Sequence, residues 1–325
     1  MSSEVFFVNI FPMNVRQKPG FDYAQVGKEV VDYTLDIGFE YTLMTVGDKR
    51  IDPWVISQYC LSYNSKFSPI IAINPFYQHP VSAVKRLISL MNLYPSKISV
   101  NLVTGSFFGE LNAVNDILSF EERSNRLNEF YQSMMALINP TMPSFKGKFY
   151  QVQASEIYPK YTFGPFDLFM SGALAEELKS NKQAYFVRSI RPLEQMEKAT
   201  VPNSGLSVGI IARENKEDAL IEIDKYFPPD RRGEMLFSIA ISNNETPWNK
   251  WLKGFLEKNG DSDPNYYLKP MKNFWTNAAY LVGSYSEVAS KLKEYSNLGY
   301  KFFIVDFPSE EAPHIKKCLE KFRSL

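Results

Sequence analysis

Histidine is almost missing from this chain: His79 and His314 are the whole supply in 325 residues. A nucleophile–His–carboxylate set, or a metal site built on imidazoles, has little to draw on. Cysteine is as scarce. Cys60 and Cys318 fall in separate predicted helices, with no metal or redox spacing between them. So few thiols in a chain this long read as a reduced, cytoplasmic protein. An excess of one charge is lacking too, since 36 Lys and Arg balance 36 Asp and Glu. No net field draws the protein to nucleic acid or to an anionic membrane. No apolar run reaches the length of a membrane span, and the short run that opens the chain has no basic flank of the signal-peptide kind. Gly-rich phosphate loops, dinucleotide fingerprints and metal-ligand clusters are absent. With so few acid–base groups, the reactivity is expected from a cofactor.

What is present is a repeated strand–helix pattern, clearest at residues 97–138. The β-branched run Ile98–Val103 ends on Thr104-Gly105-Ser106, and a long amphipathic helix follows from about Ser119 to Leu137. Strand, small polar turn, loop and helix make the unit of an α/β barrel, whose chemistry sits at the C-terminal ends of the strands. Gly105 would let a polar ligand approach the backbone amides there; an ordinary strand end with a turn is the other reading. Three similar units precede it, with strands at 5–11, 41–46 and 67–73. Their helices cover 23–37, a segment opened by Asp52-Pro53, and another opened by His79-Pro80. An Asp or a His ahead of Pro suits a helix start, because the side chain caps orphan amides and the ring sets φ. His79 is therefore read as a cap ahead of a ligand contact, and His314 as a surface or helix-packing residue.

Between Asn139 and Pro165 the pattern breaks around a short strand, 148–152. Strands follow at 166–170, 184–189, 206–212 and 302–306, with the last two helices at 286–298 and 309–322. Residues 226–280 show helical stretches and no strand. The fifth strand ends in Ser171-Gly172-Ala173 and feeds a predicted helix at 174–180. That turn is either an anion site at a helix N-terminus or simple N-capping by Ser171. Eight strands with alternating helices predict a single-domain (β/α)8 TIM barrel over 1–325, with insertions at about 139–165 and 226–280.

NLVTGS (101–106), followed by SFEERSNRLNEFYQSM (119–134), resembles the bacterial luciferase-like monooxygenases, nearest the alkanesulfonate monooxygenase branch. The tail LVGSYSEVASKLKEYSNLGYKFFIVDFP (281–308) is similar to the penultimate helix and last strand of that branch. DIGFEYTLM (36–44), HPVSAVK (79–85), FKGKFYQV (145–152) and SGALAEEL (171–178) fall in the expected order. The resemblance implies a barrel that binds reduced FMN from a separate flavin reductase and uses O2 to oxygenate an organic substrate. By matching position, Asn101 and Thr104 would line the flavin ring or ribityl chain. Ser171 and Gly172 would take the phosphate, and Val46 would flank the isoalloxazine. Ser124 stands where the family has a phosphate-binding Tyr.

The departures bear on the substrate. Arg50 stands where the branch has a Cys, four residues before Trp54, and is the candidate polar group near the reactive face; a surface salt bridge is its other reading. Ser207 and Gly209 replace an Arg and a His, Phe307 a Tyr, and Phe274 a loop Arg. The groups that would read a sulfonate are mostly gone. The expected substrate is a larger, more apolar molecule, free or tethered to a carrier. Two other functions fit the same barrel: a non-catalytic relative, with or without FMN, and a deazaflavin-dependent oxidoreductase. The resemblance also implies a homodimer.

Overall fold

The computed structural model describes residues 5–12, 21–105, 108–139, 144–153, 157–163, 166–171, 184–242, 246–259, 262–263 and 266–325. In chain order the strands are β1 (Phe6–Ile10), β2 (Tyr41–Met44), β3 (Pro69–Ile73), β4 (Ser99–Val103), β5 (Phe145–Lys146), β6 (Gln151–Val152), β7 (Leu168–Ser171), β8 (Ala184–Ser189), β9 (Ser204–Arg213), β10 (Ser262–Asp263), β11 (Tyr266–Tyr267), β12 (Tyr280–Ser284) and β13 (Phe302–Asp306). The described α-helices are α1 (Tyr23–Ile37), α2 (Pro53–Tyr63), α3 (Pro80–Leu93), α4 (Phe108–Ala113), α5 (Phe120–Ile138), α6 (Lys216–Tyr226), α7 (Arg231–Ser242), α8 (Pro247–Asn259), α9 (Lys269–Lys272), α10 (Tyr285–Asn297) and α11 (Ala312–Arg323). Parallel strands β1 to β4, β7 to β9 and β13, alternating with helices over most of the described chain, are the (β/α)8 TIM-barrel architecture expected from the sequence. No described helix is long and apolar enough to cross a membrane.

The chain divides into two compact units. One comprises Asp22–Val31 and Tyr41–Phe186. Its strands run parallel in the order β2-β3-β4-β7. Ile70, Ile71, Ile73, Val100 and Leu102 are all fully buried. Strands covered on both faces need such unbroken apolar runs, and each side chain contributes about 1.5–3 kcal/mol. Helix α2 packs on β2 and β3, α3 against α5, and α5 on β4. The helix starts follow the sequence signals. Asp52 accepts from the amides of Trp54 and Val55, with Pro53 in the first turn, and His79 Nδ1 accepts from Val81 N at 3.3 Å. Ser119 and Glu122 form a reciprocal capping box on α5.

The expected strand at 148–152 is instead the two-residue hairpin β5–β6. Its turn is held by Glu129 of α5, whose carboxylate accepts from the amides of Lys148 (2.9 Å), Phe149 (2.6 Å) and Tyr150 (3.2 Å). Helix α4 lies where the sequence reads as loop, because six residues are too few for a helical period.

The other unit comprises Met1–Phe21, Asp32–Glu40 and Val187–Leu325, with strand order β12-β9-β13-β1. Its core is rich in stacked rings, including Phe7 on Phe303 and Phe39 on Phe307. The long strand β9 pairs with β13 through Gly205–Gly209 and with β12 through Gly209–Arg213. The stretch read as strandless, 226–280, holds α7, α8, the hairpin β10–β11 and α9, and β12 begins at its last residue. Two-residue strands leave no alternation for a reader to find.

Candidate active site

In the Asp22–Val31/Tyr41–Phe186 unit, polar side chains gather where the strands end. Asn101 is 3% exposed and faces away from its neighbours Val100 and Leu102 by strand alternation. Phe169 sits opposite it in register, packed between the rings of Tyr41 and Tyr185. Ser171 lies diagonally beyond, and its hydroxyl donates to Asn101 Oδ1 at 3.1 Å. The two strand ends assigned from sequence to the flavin ring and its phosphate thus meet in one polar patch. Thr104 and Asn74, both nearly buried, end β4 and β3 beside it. Gly105 carries φ +72°, and a side chain there would strike Asn74 and Phe76. Among the described residues, no protein partner meets the Asn101 or Asn74 amide nitrogen or the Thr104 hydroxyl. Gly172 and the helix expected after it lie outside the described residues.

A second group sits on the loops that leave the same strand ends. Arg50 Nη1 donates to Thr45 Oγ1 at 2.6 Å. The backbone of Gly47 is flanked by Glu110 and Arg50. Burial, then the Asp48 charge, push the Glu110 carboxyl up to about 7, against the pull of Arg50. Burial and the Glu110 and Asp48 charges push the Tyr77 hydroxyl up to about 12. Asp48 and Arg50 follow β2, Tyr77 follows β3, and Glu110 follows β4. Arg50 is therefore part of a half-exposed charge cluster on these loops, and Glu110, which the sequence reading passed over, is its titrating member. Val46 is half-buried in the same loop. The Ser124 hydroxyl donates to Phe120 O, one turn back in α5. The opposite strand ends carry a structural contact, with Asp167 bound by Lys97 at 2.9 Å and by the Tyr41 hydroxyl.

In the Val187–Leu325 unit the last strand ends on Asp306, which is 9% exposed. Its Oδ2 accepts from the Thr276 hydroxyl and from Tyr280 OH, the latter at 3.1 Å. Burial and the Asp306 charge hold the Tyr280 hydroxyl well above its ordinary range, so it stays a donor. Gly209 makes this possible: a Cβ there would lie 2.2 Å from the Tyr280 ring. The space beside Gly209 is filled by the Tyr280 ring, from β12. Phe274 has φ +57°, a strained backbone for a bulky residue. Phe307 packs on Phe39 and Tyr33 as a core residue. Ser207 contributes its carbonyl to Ile190 N at 3.2 Å. At the far end of β9, Arg213 forms a bidentate pair with buried Glu311, at 2.5 and 2.6 Å. His314 is half-buried and bonded through Nδ1 to Tyr285 OH at 2.6 Å, a helix-packing role. Burial pushes both thiols, Cys60 and Cys318, up to about 12, which leaves neither as a thiolate. No cluster of three His, Cys, Asp or Glu side chains suited to a metal occurs among the described residues.

Residues 6–179 match the family model described as luciferase-like monooxygenase. The chain belongs to that family. This luciferase-like monooxygenase is 26% identical over 327 residues to BtrO of Niallia circulans, the monooxygenase of 4-(gamma-L-glutamylamino)butanoyl-BtrI acyl-carrier protein; the match covers 94% of this chain and 95% of BtrO. It is 25% identical over 222 residues to an FMNH(2)-dependent dimethylsulfone monooxygenase of Pseudomonas fluorescens, covering 62% of this chain and 60% of that one. Among solved structures, long-chain alkane monooxygenase (LadA) has the same fold, with a TM-score of 0.69 at 12% identity over 100% of this chain and 92% of that one.

Proposed function

We propose that this protein is a monooxygenase that takes reduced FMN from a separate flavin reductase and oxygenates an acyl substrate tethered to a carrier protein. The observation that carries the reading is the Asn101–Ser171 contact, with Thr104 and Asn74 buried beside it. These uncharged amides and hydroxyls fit a flavin, whose ring edge and ribityl chain are lined with carbonyls, nitrogens and hydroxyls. Asn101, Asn74 and Thr104 would hold ring and ribityl, Ser171, Gly172 and Ser124 the phosphate end, and Val46 one ring face. When bound, reduced FMN supplies the electrons that activate O2.

The chain's own residues then have two tasks. Glu110, with a carboxyl poised near 7, holds or releases a proton at the rim, where the best acid–base group titrates near working pH. Arg50 is a permanent cation, so it balances the Asp48–Glu110 charges and takes no proton itself. The carrier-tethered substrate rests on two supports: BtrO, matched almost end to end, acts on such a substrate, and the sulfonate-reading groups of the alkanesulfonate branch are replaced by Ser207, Gly209, Phe274 and Phe307. The reading includes a homodimer working in the cytoplasm, as the family resemblance and the few, buried thiols suggest.

The test is oxygen labelling. The protein, an NADPH-driven FMN reductase and an acyl-carrier substrate are incubated under ¹⁸O2. A product heavier by one ¹⁸O atom is expected. NADPH consumption with peroxide release and an unlabelled, unchanged acyl chain would overturn the reading.

A further inference from the structure

Helix α7 follows α6 in the stretch of chain between β9 and β12. It buries Gly233 and Phe237. On the opposite side Met235 is 59% exposed and Ile239 47% exposed, one turn apart. Arg231 begins the same row, four residues before Met235, and Arg232 adjoins it; both are exposed. Among the described residues, no other helix exposes two large apolar side chains one turn apart. Such a pair costs solubility unless a partner covers it.

The surrounding charge says what kind of partner. Residues 231–259 carry five Lys and Arg against three Asp and Glu, in a chain whose total charge is zero. Arg231, Arg232, Lys250, Lys253 and Lys258 are all exposed, and none pairs with a carboxylate among the described residues. Elsewhere on this unit exposed lysines do find partners, as Lys316 does with Asp36 at 2.8 Å. An apolar pair fringed by uncommitted cations is the complement of an acidic helical domain with an apolar centre, and acyl-carrier proteins have that character.

We infer that the exposed face of α7 is the docking surface for the acyl-carrier protein that presents the substrate, with Met235 and Ile239 as anchors and Arg231 and Arg232 steering the approach. The inference rests on the carrier-tethered reading above and adds where the carrier binds.

The test uses 4-(gamma-L-glutamylamino)butanoyl-BtrI acyl-carrier protein, the substrate of the Niallia circulans relative, beside the same acyl group as a pantetheine thioester. Binding of the carrier is measured by titration calorimetry, apart from turnover. Two variants, Met235→Glu/Ile239→Glu and Arg231→Glu/Arg232→Glu, change only exposed side chains, and circular dichroism checks their fold. Each is expected to weaken carrier binding by about tenfold or more. Their kcat on the thioester should equal that of the wild type, and wild-type affinity should fall with added salt. Variants that bind the carrier as the wild type does would overturn the docking surface, and so would a wild type that oxygenates the thioester but ignores the carrier. A wild type that binds through α7 yet oxygenates neither probe would overturn the proposed function and leave the docking surface standing.

Discussion

Glu110→Gln isolates the electrostatics of the rim cluster. The wild-type carboxyl is pushed from an ordinary 4.5 to about 7, first by burial and then by Asp48. That interval corresponds to about 3 kcal/mol for ionising the group in the folded protein. Glu110 is only partly buried, so solvent screening reduces the effect to about 1–2 kcal/mol. The sign follows from linkage. A carboxyl whose folded value is raised favours folding below 4.5, where it is protonated in both states, and that contribution is lost as the pH rises through about 7. Glutamine keeps the shape and a hydrogen-bonding head without a charge. Urea denaturation at several pH values is the assay. The variant is expected to match the wild type below about pH 4 and to exceed it by about 1–2 kcal/mol near pH 8. Wild-type and variant stabilities that run parallel across this range would refute the claim that Glu110 is ionised at a cost. If the residue also serves the reaction, the variant's turnover should lose its inflection near pH 7 while FMN binding stays unchanged.

Gly209→Ala places a Cβ 2.2 Å from the Tyr280 ring, which must then leave Asp306; a loss of about 1–3 kcal/mol in urea is expected, and an unchanged midpoint would count against the packing described. Glu311→Ala strands Arg213 in a buried position. Glu222 at 3.5 Å retains part of the guanidinium's charge balance, so the cost should fall near about 3 kcal/mol, the low end for a broken buried pair. A change below about 1 kcal/mol would mean that water reaches the arginine.

Much of the scaffold was legible because each barrel strand is a run of buried β-branched or aromatic residues between turn signals. Helix α1 falls at Tyr23–Ile37 and β13 at Phe302–Asp306, where period and turn residues place them. The family resemblance puts the Asn101–Thr104 strand end and Ser171 around one flavin; the hydrogen bond between Asn101 and Ser171 is seen only in the structure. What escaped was set by contacts between distant segments. Nothing near Gly209 announces that Tyr280, 71 residues later, will fill its space. The hairpin β5–β6 depends on three amides finding one carboxylate on α5. Glu110 reads as an ordinary loop acid until its six-residue helix carries it beside Asp48 and Arg50. The insertion holding α7 and α8 interleaves Trp, Lys and short helices, so no single period dominates.

The most direct measurement is an anaerobic fluorescence titration of the purified protein with reduced FMN, comparing the wild type with Asn101→Ala and Ser171→Ala. Saturable binding by the wild type is expected, weakened about tenfold or more in each variant, the size of one or two lost buried hydrogen bonds. A wild type that does not bind, or variants that bind as tightly as it does, would contradict a flavin seat at the ends of β4 and β7.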